Sequence, residues 1–149
     1  KVDYHRAINK PIHYNSKLYE GYMAGGTNAL LDGYRGGLTY LDGRWQGYLD
    51  DLDCVIDMEE ETDIHKVSIR FMQLIGPGVF QPGQVELLTS EDGENFISRG
   101  IVPTTVPADD PDLLFQEYTF DGNWKARYVR LKAPRANPGF IFADEIVVW

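Results

Sequence analysis

The sequence has little cysteine, little histidine and no long apolar run. A single cysteine, Cys54, excludes an intrachain disulfide and any cysteine-built zinc site. It sits in the apolar stretch DCVID (53–57), where a buried, inert thiol is expected. The three histidines, His5, His13 and His65, form no ligand-spaced pair, and the HExxH, GxSxG and P-loop patterns are missing. Most carboxylates flank turns or fall in the acidic run Glu59–Glu61, so no general acid/base pair stands out. The expectation is that this chain is not an enzyme. No apolar run approaches the roughly 20 residues of a membrane-spanning helix. Cations are also scarce: 14 Lys and Arg stand against 23 Asp and Glu, a net charge of −9. Nucleic acid and anionic lipid both require clustered Lys and Arg. Neither nucleic acid nor membrane insertion is therefore expected, whereas a neutral ligand or a cation suits the charge balance.

Turn chemistry and aromatics are abundant. The 149 residues suffice for one domain with its own core, taken here as 1–149, with 1–18 an N-terminal extension leading into it. Fifteen Gly and eight Pro are spread along the chain, and Asp-Gly recurs at 32–33, 42–43, 92–93 and 121–122, each a tight-turn signal. Between these signals lie period-two stretches. Lys66–Leu74 alternates Val67, Ile69 and Phe71 with polar residues, and Gln84–Ser90 alternates Val85, Leu87 and Thr89. Asn95–Val102, Asp53–Met58, Tyr19–Ala24 and Phe140–Trp149 read as further strands, and Phe115–Phe120 reads as paired with Arg127–Ala133 across Asp121-Gly122-Asn123. Short strands at this spacing predict an all-β sandwich of about eight strands. The prolines at 103, 107 and 111 predict a long loop over 103–114.

Function is sought in the loops. Tyr34, Tyr40, Trp45 and Phe80 lie in Gly-rich stretches rather than in alternating strands, and Phe140 opens the last strand. An aromatic ring stacks on the apolar face of a sugar, and Arg, Asn or Gln hydrogen-bonds its hydroxyls. Arg35, Arg135 and Asn137 are suitable polar neighbours. The competing reading packs these rings beneath the loops, above all Trp45. Separately, ALLDG (29–33) places Asp32 in a turn, and the last strand carries Asp144-Glu145. Loop carbonyls with one or two carboxylates suit a hard cation; alternatively Asp32 merely caps a turn and Glu145 lies at the surface.

The order of motifs resembles a known family. ALLDG (29–33), WQG (45–47), DCVIDM (53–58), IHKVSIRFMQ (64–73), PGQVELLTSEDGENF (82–96), ARYVRLKA (126–133) and FADEIVVW (142–149) together resemble the discoidin, or coagulation factor type C, domain. Its bacterial members include the family 32 carbohydrate-binding modules. Residues 37–47 also resemble the C-terminal module of bacterial family 20 β-hexosaminidases. The resemblance spans roughly residues 19–149. It implies an eight-stranded jelly-roll β-sandwich, galactose-binding-domain-like, with ligand loops at one end. It further implies a structural Ca2+ at the Ala29 carbonyl, Asp32 and Glu145. Tyr34-Arg35-Gly36-Gly37 departs from the family pattern after the Asp-Gly, which leaves the remaining ligands unassigned.

The leading expectation is a non-catalytic carbohydrate-binding module attached to a secreted bacterial glycoside hydrolase. It would bind a terminal galactose- or N-acetylhexosamine-type sugar through Tyr34, Arg35, Tyr40, Trp45, Phe80, Arg135, Asn137 and Phe140, with the catalytic domain of the parent hydrolase as its partner. The chain opens on Lys1 rather than Met, which fits a piece of something longer, placed extracellularly, in the periplasm or on a bacterial cell surface. The alternatives are an accessory domain that packs on the catalytic domain without a ligand, and a protein or cell-surface adhesion module.

Overall fold

Two long strands set the architecture. In the computed structural model, which describes residues 4–24 and 26–149, β3 covers Leu52–Gln73 and β6 covers Leu114–Ala133. They pair antiparallel over most of their length. The pairing shifts register between Asp57 and Thr62 and again between Ile64 and Lys66, and Glu59 takes a φ of 72° there. Bulges bend a strand and sharpen its twist, so each strand serves two layers. Residues 52–57 and 128–133 pair with β1 (Ile12–Tyr14) and β4 (Gln84–Ser90), and β4 carries the edge strand β5 (Ile97–Pro103). Residues 66–73 and 114–121 belong to the other layer. There β3 pairs with β7 (Ile141–Val148), which carries the short β2 (Gln46–Tyr48). The result is one hydrogen-bonded antiparallel sheet, ordered β2-β7-β3-β6-β4-β5 with β1 on β3, folded over into a β-sandwich.

Seven strands and two 3₁₀ turns, Glu20–Tyr22 and Ala29–Leu31, are present among the described residues. Several strand assignments differ from expectation. Asp53–Met58 and Lys66–Leu74 are one strand. The supposed pair Phe115–Phe120 and Arg127–Ala133 is also one strand, with Asp121-Gly122 inside it. At 33, 43 and 93 the Asp-Gly glycines take φ near +80° as a turn requires. Gly122 serves a different purpose: a Cβ there would lie 2.3 Å from the Trp124 ring. Tyr19–Ala24 holds a 3₁₀ turn rather than a strand. The acidic run Glu59–Glu61 is exposed, as expected, but on the bend of β3 rather than in a separate loop.

The period-two pattern explains the core. Leu52, Cys54, Ile56 and Met58 of β3 point inward and are buried, while Asp53, Val55 and Asp57 alternate outward. Val67, Ile69 and Phe71 continue the same core in the second layer. Burial pushes the Cys54 thiol up to about 12, which keeps it inert as expected. On the outer face Arg130 and Arg127 grip Asp53 and Asp57 with paired hydrogen bonds of 2.8–3.0 Å, tying β6 to β3 where both approach the bend. The first three residues of the expected 1–18 extension lie outside the described residues. The rest is integrated: Ala7 is fully buried, Arg6 N–H donates to the Val148 carbonyl, and β1 pairs with β3.

Deleting an inward ring should cost far more than deleting an outward apolar side chain. Phe71→Ala is expected to lose about 3–5 kcal/mol, and Ile97→Ala, on the exposed face of β5, within about 0.5 kcal/mol. Urea denaturation of both variants checks this; equal losses would contradict the assigned core.

Candidate functional site

A bulge in β7 builds the site. Ile69 pairs with Ile146 and Phe71 with Ala143, so Arg70 alone opposes both Asp144 and Glu145. The extra residue breaks the alternation, and both carboxylates are buried. They reach different partners. Asp144 Oδ2 accepts from Arg70 Nη2 at 2.5 Å, from Arg70 Nε at 3.0 Å and from Gly36 N–H at 2.9 Å. Glu145 Oε2 accepts from Gly33 N–H at 2.8 Å and from His5 Nε2 at 2.6 Å. His5 Nδ1 accepts the Ala7 N–H, so Nε2 is the protonated nitrogen. Two adjacent carboxylates thus hold the start of the 33–45 loop at two points.

Arg70 also donates to the Gly36 carbonyl and lies over the stacked rings of Trp45 and Phe115, about 5 Å from each centroid. The loop must run tightly here. A Cβ on Gly36 would sit 2.1 Å from Trp45 Nε1, and that nitrogen donates to the Gly37 carbonyl. Trp45, Met72, Val79 and Phe142 form a second, smaller core distinct from the sandwich core, roofed by loops. At its far side the 74–81 and 134–140 loops cross. Phe80 N–H donates to the Phe140 carbonyl, and a Cβ on Gly139 would lie 2.3 Å from the Gly78 carbonyl oxygen.

Above this small core stands a cluster of rings. Tyr22 meets Tyr40, Phe140 and Phe142 edge-on, at centroid distances of 5.1–6.0 Å. Tyr19 stacks on Tyr22 at 5.7 Å and meets Phe140 at 5.1 Å. A hollow of about 420 Å3 opens beside Tyr22 and Tyr40, walled also by Met23, Ala24 and Leu41 with Trp45 at its edge. A second hollow of about 370 Å3 lies between Lys17, Leu18, Tyr19, Leu49 and Asp50.

The expected ligand residues divide into three groups. Tyr40 and Phe140 belong to the ring cluster, both half-buried. Trp45 is 1% exposed, so it supports the cluster from beneath and offers no face for stacking; the packing reading is the one observed. Phe80 reaches the cluster through its backbone bond to Phe140. Tyr34 and Arg35 point elsewhere: Arg44 covers the Tyr34 ring at 4.3 Å, and Arg35 pairs with Glu117 at 2.7 Å. Arg135 is a brace, donating to the Leu49 carbonyl and, through its N–H, to Asp51. Asn137 is half-buried in the 134–140 loop. Sequence reasoning missed Tyr19 and Tyr22. As strand residues three apart they would face opposite ways, whereas side chains three apart across a 3₁₀ turn eclipse.

The expected metal ligands gather only in part. Ala29 opens the 3₁₀ turn that leads into Asp32, whose Oδ1 accepts the Tyr34 N–H and whose charge acts on the nearby Glu145. Glu145 is wholly buried rather than at the surface, and its Oε1 has no hydrogen-bond partner. Burial, with the neighbouring Asp32 adding to it, pushes the Glu145 acid up to about 10. A buried acid of this kind is neutral unless a cation lies beside it. Among the described residues no group of three His, Cys, Asp or Glu side chains assembles. The all-oxygen pair with its orphaned Oε1 fits a hard cation, with backbone carbonyls or water completing the shell.

Solved structures share this fold at low sequence identity. The chain is similar to chitosan-binding module 1 of a chitosanase/glucanase from Paenibacillus sp. IK-5, with 14% identity over 99% of both chains and a TM-score of 0.67. It is similar to a Streptococcus pneumoniae fucose binding module, with 15% identity over 97% of this chain and 94% of that one and a TM-score of 0.67. A third is CBM32-1 from a family 31 glycoside hydrolase of Clostridium perfringens, with 19% identity over 99% of both chains and a TM-score of 0.61. No protein-family model and no curated protein matches the chain.

Removing the staple should free the loop while the sandwich stands. Arg70→Ala is expected to raise cleavage within 37–44 by limited proteolysis at least several-fold, with far-UV circular dichroism retained. Cleavage unchanged from the parent chain would refute the stapling role.

Proposed function

We propose that this chain is a non-catalytic carbohydrate-binding module. The observation that carries the reading is the hollow beside Tyr22 and Tyr40, set on a rigid ring cluster in a fold shared with sugar-binding modules. Its walls mix aromatic and aliphatic side chains with backbone and phenol polar groups, which matches the apolar face and hydroxyl rim of a pyranose. Among the described residues no carboxylate or ammonium lines it, so a neutral sugar of the galactose or N-acetylhexosamine type is the proposed ligand. A single shallow hollow implies dissociation constants from millimolar to tens of micromolar, about 4–6 kcal/mol. Weak binding suffices when the module is tethered: it raises the effective concentration of an attached glycoside hydrolase at its glycan. The proposed parent is a secreted or periplasmic bacterial hydrolase, a family 20 β-hexosaminidase by the motif in residues 37–47. Leu38, 76% exposed on the same loop, favours a second role in packing against that catalytic domain.

A structural Ca2+ between Asp32 and Glu145 is part of the reading. It would join the Asp-Gly turn to β7 and act on stability, not on chemistry. With the ion a hundredfold above its dissociation constant, linkage gives about 2.7 kcal/mol, on the order of 5–10 °C in Tm. Differential scanning calorimetry of chelator-treated protein should show that rise on adding CaCl2, and Glu145→Gln should abolish it. An unchanged Tm in the parent chain would rule the ion out.

For the sugar, a glycan array followed by calorimetric titration is the test. Tyr40→Ala should weaken binding at least about tenfold, and Ile97→Ala should leave it unaltered. An array silent for every neutral glycan would sink the proposal.

A further inference from the structure

We infer that the binding end takes a glycan of at least two sugar units, with Lys17, Leu18, Tyr19, Leu49 and Asp50 forming a second subsite beside the Tyr22–Tyr40 hollow. This rests on the carbohydrate reading above and extends it. Tyr19 and Tyr22 form a ridge, their rings stacked 5.7 Å apart at 27°, with Phe140 edge-on to both. One hollow lies on the Tyr22 side and the other on the Tyr19 side. Each is near the lower limit of small-molecule sites, roughly 300–1,000 Å3, so each suits one compact unit rather than a whole oligosaccharide.

The two hollows differ in chemistry. Among the described residues no charged side chain lines the Tyr22–Tyr40 side, whose wall mixes aromatic rings with backbone and phenol polar groups. The Tyr19 side sets Leu18, Tyr19 and Leu49 between the Lys17 ammonium and the Asp50 carboxylate. Among the described residues no hydrogen bond or ion pair engages the Lys17 ammonium. Asp50 is held in place by the Lys17 and Asp51 N–H groups, and each of its oxygens keeps acceptor capacity. A cation and an anion flanking an apolar floor hydrogen-bond the hydroxyls of a sugar whose ring rests on Tyr19. The wall is braced: Arg135 holds the Leu49 carbonyl at 2.7 Å. Preformed walls lower the ordering cost of binding. A terminal neutral sugar occupies the Tyr22–Tyr40 hollow, and its glycosidic neighbour crosses the ridge into the Lys17–Asp50 hollow.

Calorimetric titration tests this with methyl glycosides of galactose, N-acetylglucosamine, N-acetylgalactosamine and fucose. Disaccharides carrying each of these at the non-reducing end are titrated in parallel. The expected result is that the best disaccharide binds about tenfold or more tighter than its terminal glycoside. Lys17→Ala and Leu49→Ala, both at exposed positions, should return the disaccharide to the monosaccharide's affinity while leaving the monosaccharide within about twofold. Equal affinities for monosaccharide and disaccharide would overturn the second subsite and leave the carbohydrate reading standing. No binding of any sugar would overturn both.

Discussion

The bulge at Asp144–Glu145 is the constraint on which the binding end depends. One extra residue opposite Arg70 sends two adjacent carboxylates to separate sets of partners. Asp144 takes the Arg70 guanidinium and Gly36 N–H; Glu145 takes Gly33 N–H and His5. A regular β7 would leave one of these anchors misdirected. Buried carboxylates are costly unless partnered, and the partners of Asp144 Oδ2 and Glu145 Oε2 tie the path of the 33–45 loop to the sheet. The same Arg70 lies over Trp45 and Phe115, so the electrostatic anchor and the small core reinforce each other.

The protein therefore has two cores with different work. The larger one holds the two layers together and follows from plain alternation. The smaller one, around Trp45, Met72, Val79 and Phe142, gives the loop end a rigid floor. Rings placed on a floor of this kind lose little freedom when a ligand arrives. Tyr22 and Tyr40 stand on Phe142, while Phe140 links them to the crossed loops that also carry Phe80. The N-terminal segment contributes at both levels, with His5 beneath the loop and Tyr19 and Tyr22 above it.

The fold class was legible because strand alternation is a local pattern written in side chains. Val67, Ile69 and Phe71, or Leu52, Cys54 and Ile56, declare their face without reference to any partner. The continuity of β3 and β6 was not legible. A bend is a backbone event, and Asp121-Gly122 carries the same letters as a turn although Gly122 only makes room for Trp124. Candidate site residues were legible as loop aromatics, but their exposure depends on packing from distant segments. Trp45 disappears under Arg70, whereas Tyr34 stays exposed with Arg44 over its ring. Tyr19 and Tyr22 went unnoticed because their importance lies in a 3₁₀ period that a strand reading hides. The carboxylate pair was found, yet the burial of Glu145 and its bond to His5 come from chain ends 140 residues apart.

The most direct test of the central claim is where a bound glycan perturbs the protein. Amide chemical shifts of the 15N-labelled chain, followed through titration with a neutral glycan that binds, report this residue by residue. The account predicts that the shifts concentrate on residues 17–24, 38–45 and 137–141, with the outer face of β4 and β5 silent. Shifts centred on β4 and β5, with the ring cluster around Tyr22 unmoved, would contradict it.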